Sequence, residues 1–160
     1  MNIVEQWKVL NESRNTLPVP VFKLPEKLGI KLNYAFLSDD ISGMLETVRN
    51  AFILTVNASD FETRQRFTLA HELGHYMLHR PLIGSGLDDD RAYRSTDVGK
   101  YHNTRIGMKE EREANRFAAN LLMPDKKVIE LKKDISDPEK LAREFGVSLQ
   151  AMNIRLSSLG

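Results

Sequence analysis

Apolar residues at Ile3, Val4, Trp7 and Leu10 recur at helical spacing, which predicts an amphipathic helix over the first dozen residues, ended by Pro18 and Pro20. Residues 21–28 read ambiguously, because Pro25 interrupts a helical pattern that Gly29 then closes. Three strand-like runs follow at 30–36, 44–49 and 51–56; the first alternates apolar and polar positions, and Arg49-Asn50 suits a tight turn between the other two. The period then changes. Ser59 with Glu62 has the form of a capping box and Pro81 is a stop, so a long helix is expected over 60–80. Phe67, Ala70, His71, Gly74, His75 and Leu78 share one face of it. A polar stretch rich in Gly and Asp, 81–107, comes next, and its length and composition predict a mobile segment or a cover over a cleft. Helical spacing resumes through Glu110, Glu113, Ala114, Phe117, Ala118 and Leu121, and Pro124 breaks it. The tail, 137–158, reads as two short helices joined at Gly146-Val147-Ser148. The expected fold is α+β: a small antiparallel or mixed sheet packed on the 60–80 helix in a domain over 1–124, with a helical, helix-turn-helix-like tail over 125–160.

Composition narrows the chemistry. With 160 residues, 41% apolar and 28% charged, the chain has the profile of a folded globular domain. Lys plus Arg (23) nearly balances Asp plus Glu (22), so no bulk field draws it to nucleic acid or an anionic membrane. Cysteine is absent, which excludes disulfides, thiolate metal sites and cysteine nucleophiles. No apolar run is long enough to span a membrane and the amino end lacks the form of a secretory signal. A cytoplasmic protein is expected.

His71-Glu72-Leu73-Gly74-His75 is the informative constellation. Histidines four apart on a helix project one turn apart from one face and can reach one ion; neutral imidazole suits zinc, and Glu72 between them is placed to take a proton from an attacking water. Two core histidines with a chance glutamate would be costly to bury without partners. A third ligand is needed. Glu113 is the best candidate because it lies on the apolar stripe of its helix, where an unpaired carboxylate is expensive; Glu110, one turn earlier, is the substitute. His79 has drifted around the axis and suits a supporting or packing role. Zinc with two imidazoles and a carboxylate acidifies water and polarises a carbonyl, and with Glu72 as general base the set is equipped for peptide-bond hydrolysis. Tyr93, Tyr101, His102 and Arg105 in the polar stretch are all candidates to stabilise the oxyanion.

At these residues the chain resembles the ImmA/IrrE family of metallo-endopeptidases. The likeness is carried by Arg64 to Ala70 leading into HELGH, by Tyr76 to His79, and by Glu113-Ala114-Asn115 running through Phe117-Ala118-Ala119 to Leu121-Leu122-Met123-Pro124. Ile41-Ser42-Gly43, Val56-Asn57, Phe145 to Ser148 and Arg155-Leu156 extend it over nearly the whole chain. The resemblance implies a zincin-like site, with His71, His75 and Glu113 on zinc and Glu72 as base. It implies a protein substrate, a helix-turn-helix repressor of a mobile element, prophage or stress response, cleaved to release transcription. Some relatives carry a sensory domain after the tail; with none before Gly160, any signal is expected by another route.

The tail invites a second reading, as a DNA-binding element over 137–158. From Pro124 onward seven basic residues face six acidic ones, and the second tail helix holds only Arg155, a poor phosphate footprint. Helix packing or substrate docking is the better expectation. The rival to a peptidase is a non-catalytic module that binds DNA or a repressor, or one half of a toxin–antitoxin-type pair. Glu72 argues against the binding module, since a structural zinc site needs no base.

Overall fold

The computed structural model describes residues 1–84, 93–95 and 106–160. Its helices are α1 (Ile3–Ser13), α2 (Leu24–Lys27), α3 (Glu62–Leu78), α4 (Met108–Leu122), α5 (Asp125–Leu131), α6 (Pro138–Phe145) and α7 (Leu149–Leu159). The strands are β1 (Lys31–Ala35), β2 (Ile41–Val48), β3 (Ala51–Asn57) and β4 (Tyr93–Ser95). They form one mixed sheet in the order β1-β3-β2-β4, with β1 parallel to β3 and the other pairs antiparallel. The fold is α+β.

Local chemistry explains most boundaries. Arg49 and Asn50 both take positive φ (51° and 66°), the backbone a two-residue hairpin turn demands, and β2 and β3 pair in register from Val48↔Ala51 to Gly43↔Val56. The expected capping box at Ser59 does not form. Asn57, at the end of β3, accepts the Ser59 N–H at 3.0 Å and donates to the Ile41 carbonyl at 2.8 Å. That side chain holds the turn, and α3 begins only at Glu62, with Phe61 as a cap residue that makes no side-chain bond. β1 keeps little of its alternation: as an edge strand it leaves Tyr34 53% exposed, and Phe36 just beyond it is 85% exposed. Helix α5 lies in a stretch where periodicity signalled nothing.

Two glycines place α3 between the sheet and α4. A Cβ on Gly43 of β2 would meet Thr68 Cγ2 at 2.5 Å, and one on Gly74 would meet Phe117 and Ala114 of α4 at 3.1–3.2 Å. Neither close approach survives a larger residue. The core fills the space between: Leu45, Leu54 and Val56 from the sheet, Leu69, Ala70 and Leu73 from α3, and Ala118 and Leu122 from α4 are all fully buried. Phe145 and Met152 of the tail join the same cluster. Buried Arg66 of α3 ties the tail to the body. It donates to the Gly146 carbonyl at 3.1 Å and the Val19 carbonyl at 2.8 Å; burial lowers its pKa, opposed by nearby Glu62.

A 3-10 turn at Arg80–Leu82 leads into the stretch 81–107, which contains the short strand β4. Residues 85–92 and 96–105, with the mobility expected of them and the candidates Tyr101, His102 and Arg105, lie outside the described residues; of Tyr93 only the backbone of β4 is described.

Candidate metal centre

His71 and His75 sit one turn apart on α3, 9% and 1% exposed. Their Nε2 atoms approach to 3.1 Å, and their rings meet edge to face with centroids 4.7 Å apart. From α4 the Glu111 Oε1 atom lies 2.7 Å from His75 Nε2 and 3.5 Å from His71 Nε2. Among the described residues these three form the group able to hold a metal ion, their ligand atoms all within 4.8 Å of one another. The donor set fits. Two imidazole nitrogens about 2.0–2.1 Å from one tetrahedral ion stand about 3.3 Å apart, close to the spacing seen. Two neutral nitrogens and one carboxylate are also the donors that zinc takes in catalytic sites.

Glu113, expected as the third ligand, is placed elsewhere: its Oε1 lies 3.3 Å from His79 Nε2. The helical wheel explains the difference. The fully buried line of α4 runs through Ala114, Ala118 and Leu122. Glu111 shares that face, seven residues before Ala118 and four before Asn115, whereas Glu113 sits with Phe117 on the flank, its side chain 40% exposed. Glu110 does not join the group either.

Each histidine is held from behind. Asn115 Oδ1 lies 2.7 Å from His71 Nδ1; an amide oxygen only accepts, so this contact calls for the proton on Nδ1. His75 Nδ1 lies 2.9 Å from His79 Nδ1, and His79 reaches Glu113 on its other side. The supporting role expected of His79 therefore has a geometry, and Glu113 contributes to it. Asn115 carried no signal from periodicity; its signal was position, four residues after Glu111. Glu72 follows His71 and is fully buried.

A family model described as the IrrE N-terminal-like domain, a peptidase family, matches residues 25–157. The chain belongs to this family. Over 121 residues it is 26% identical to Metallopeptidase ImmA of Bacillus subtilis, a match covering 74% of this chain and 64% of that protein. A Mycobacterium tuberculosis transcriptional regulator has a similar fold, with a TM-score of 0.64 at 21% identity, over 97% of this chain and 46% of the other. This member of the IrrE N-terminal-like family thus spans less than two-thirds of the length of either relative. Family membership implies a metal ion, and the group on α3 and α4 is where the residues offer to hold one. No helix among the described residues is long and apolar enough to cross a membrane.

The tail has the helix–turn–helix outline, with Gly146 in the left-handed region and Ser148 capping α7 through its side chain. Its one basic residue on the second helix is already engaged. Arg155 donates twice to the Met123 carbonyl, at 3.0 and 2.8 Å, and pairs with Asp125. That guanidinium fastens α7 to the end of α4.

Proposed function

We propose that this chain is a zinc-dependent endopeptidase whose substrate is a DNA-binding repressor, with His71, His75 and Glu111 holding the metal and Glu72 as general base. The observation that carries the reading is the convergence of two imidazole nitrogens and one carboxylate oxygen at a single point. Zinc bound there would act as a Lewis acid, polarising the scissile carbonyl and easing ionisation of water. The remaining work belongs to the protein. Asn115 fixes the His71 ring. Were His75 to hold the metal through Nε2, its proton would sit on Nδ1 and be donated to His79 Nδ1, and His79 would direct its own Nε2–H to Glu113. Glu72 takes the proton of the attacking water and returns it to the leaving amine.

The substrate assignment leans on the printed character of the relatives, a metallopeptidase and a transcriptional regulator. A cytoplasmic setting accords with the absence of cysteine. The engagement of Arg155 weighs against a module that acts through DNA. Purified protein loaded with zinc and incubated with a helix-turn-helix repressor encoded beside it tests the reading. Two defined fragments by mass spectrometry, lost on chelation and restored by zinc, are the expected result. An intact repressor under all conditions would contradict it.

A further inference from the structure

A cleft of about 720 Å3 opens beside the metal centre, and both His71 and Glu111 line it. Its far wall is α7, whose Gln150, Ala151, Ile154, Arg155 and Ser158 face inward. The spacing is that of one helical face. Charges in the cleft are already matched within the chain. Arg64 bonds Ser42 Oγ at 2.9 Å and pairs with Asp60 at 3.4 Å, while Arg155 is held by Met123 and Asp125. Beside the polar side chains of Ser148, Gln150 and Ser158, the open volume is faced by an apolar set: Phe61 (87% exposed), Phe67, Ala119, Ala151 and Ile154 (64% exposed). Large apolar side chains bare in a concave site mark a place where a ligand's own apolar group is received.

We propose that the inward face of α7 is the specificity wall of the cleft, seating a large aliphatic side chain of the substrate polypeptide next to the bond held at His71 and Glu111. The inference rests on the peptidase reading and commits to that occupant because Ile154 and Ala151 line the same cleft as His71 and Glu111. The tail then serves recognition of a protein segment, with its helix–turn–helix outline turned inward and braced by Arg66 and Arg155.

Succinyl hydroxamates test this, since the hydroxamate anchors at zinc and one side chain probes the wall. On zinc-loaded protein, titration calorimetry should show an isobutyl compound binding at least about tenfold more tightly than its carboxymethyl analogue. Ile154→Asp should abolish or reverse that preference while acetohydroxamate binds as before. A wild-type ratio near one, or a preference that survives Ile154→Asp and Ala151→Asp, would overturn the proposal. If acetohydroxamate itself fails to bind, the metal reading falls separately. The same two side chains are then compared on acetylated pentapeptides, through shifts of the Ala151 and Ile154 amide resonances, and equal response to both overturns the wall. Self-association that Ile154→Asp removes would assign the face to a second copy and overturn it equally.

Discussion

On α3 the side chains at positions 71 and 75 leave their Nε2 atoms facing each other, and a carboxylate from α4 arrives at the same point. On α7, the helix with the outline of a DNA reader, the single basic side chain turns back to a carbonyl and a carboxylate of its own chain. Both patterns are legible in the sequence, and only in the first do side-chain atoms from two helices converge on one point. The difference lies in what stands behind each group. The α3 imidazoles use Nδ1 for support and keep Nε2 forward, whereas Arg155 has its donors committed to packing.

The largest expected effect separates two glutamates on one helix. Glu111→Ala should lower zinc affinity by more than the roughly 10–100-fold that an outer partner costs, and Glu113→Ala by no more than that. Competition with a chromogenic chelator measures both, and the reverse order would return Glu113 to the metal. The supporting contacts come next. His79→Leu and Asn115→Leu should each weaken zinc by about 10–100-fold with the circular dichroism spectrum unchanged, while His79→Asn, which keeps an acceptor as Asn115 does for His71, should recover part of the loss. Smaller still are changes at the braces. Arg66→Met leaves the Val19 and Gly146 carbonyls without that donor and should cost about 1–3 kcal/mol in chemical denaturation. Gly74→Ala, which must push Phe117 and Ala114 aside, should cost a similar 1–3 kcal/mol or so and disturb zinc as well. At the bottom of the scale, Arg143→Ala breaks an exposed pair with Glu139 and should shift stability by no more than about 0.5 kcal/mol.

Much of this was legible from residues alone, for physical reasons that also mark where legibility ends. The hairpin turn at Arg49-Asn50, the long histidine helix, the two tail helices and the pairing of His71 with His75 depend on local spacing and turn chemistry. Which glutamate meets the histidines depends on which side of α4 faces α3, a matter of tenths of a turn, and a stripe flanked by Glu110, Glu111 and Glu113 offers three answers within one turn of helix. The packing of Ala114 and Phe117 against Gly74 is part of what sets the rotation that turns Glu111 toward the histidines. The capping box at Ser59 failed because Asn57, a long-range contact partner of Ile41, claimed the turn first. Helix α5 and the role of the α7 face arise from packing that no period announces.

Glu72→Gln tests the central claim most directly. Glutamine is nearly isosteric, and Glu72 is outside the ligand group, so the variant should fold and bind one zinc with wild-type affinity. An amide cannot accept the water's proton, so repressor cleavage should fall by at least about 10²–10⁴-fold. Measured side by side on zinc-loaded proteins, retained zinc with lost cleavage is the result predicted here. A variant that binds zinc normally and cuts the repressor at the wild-type rate would contradict the account.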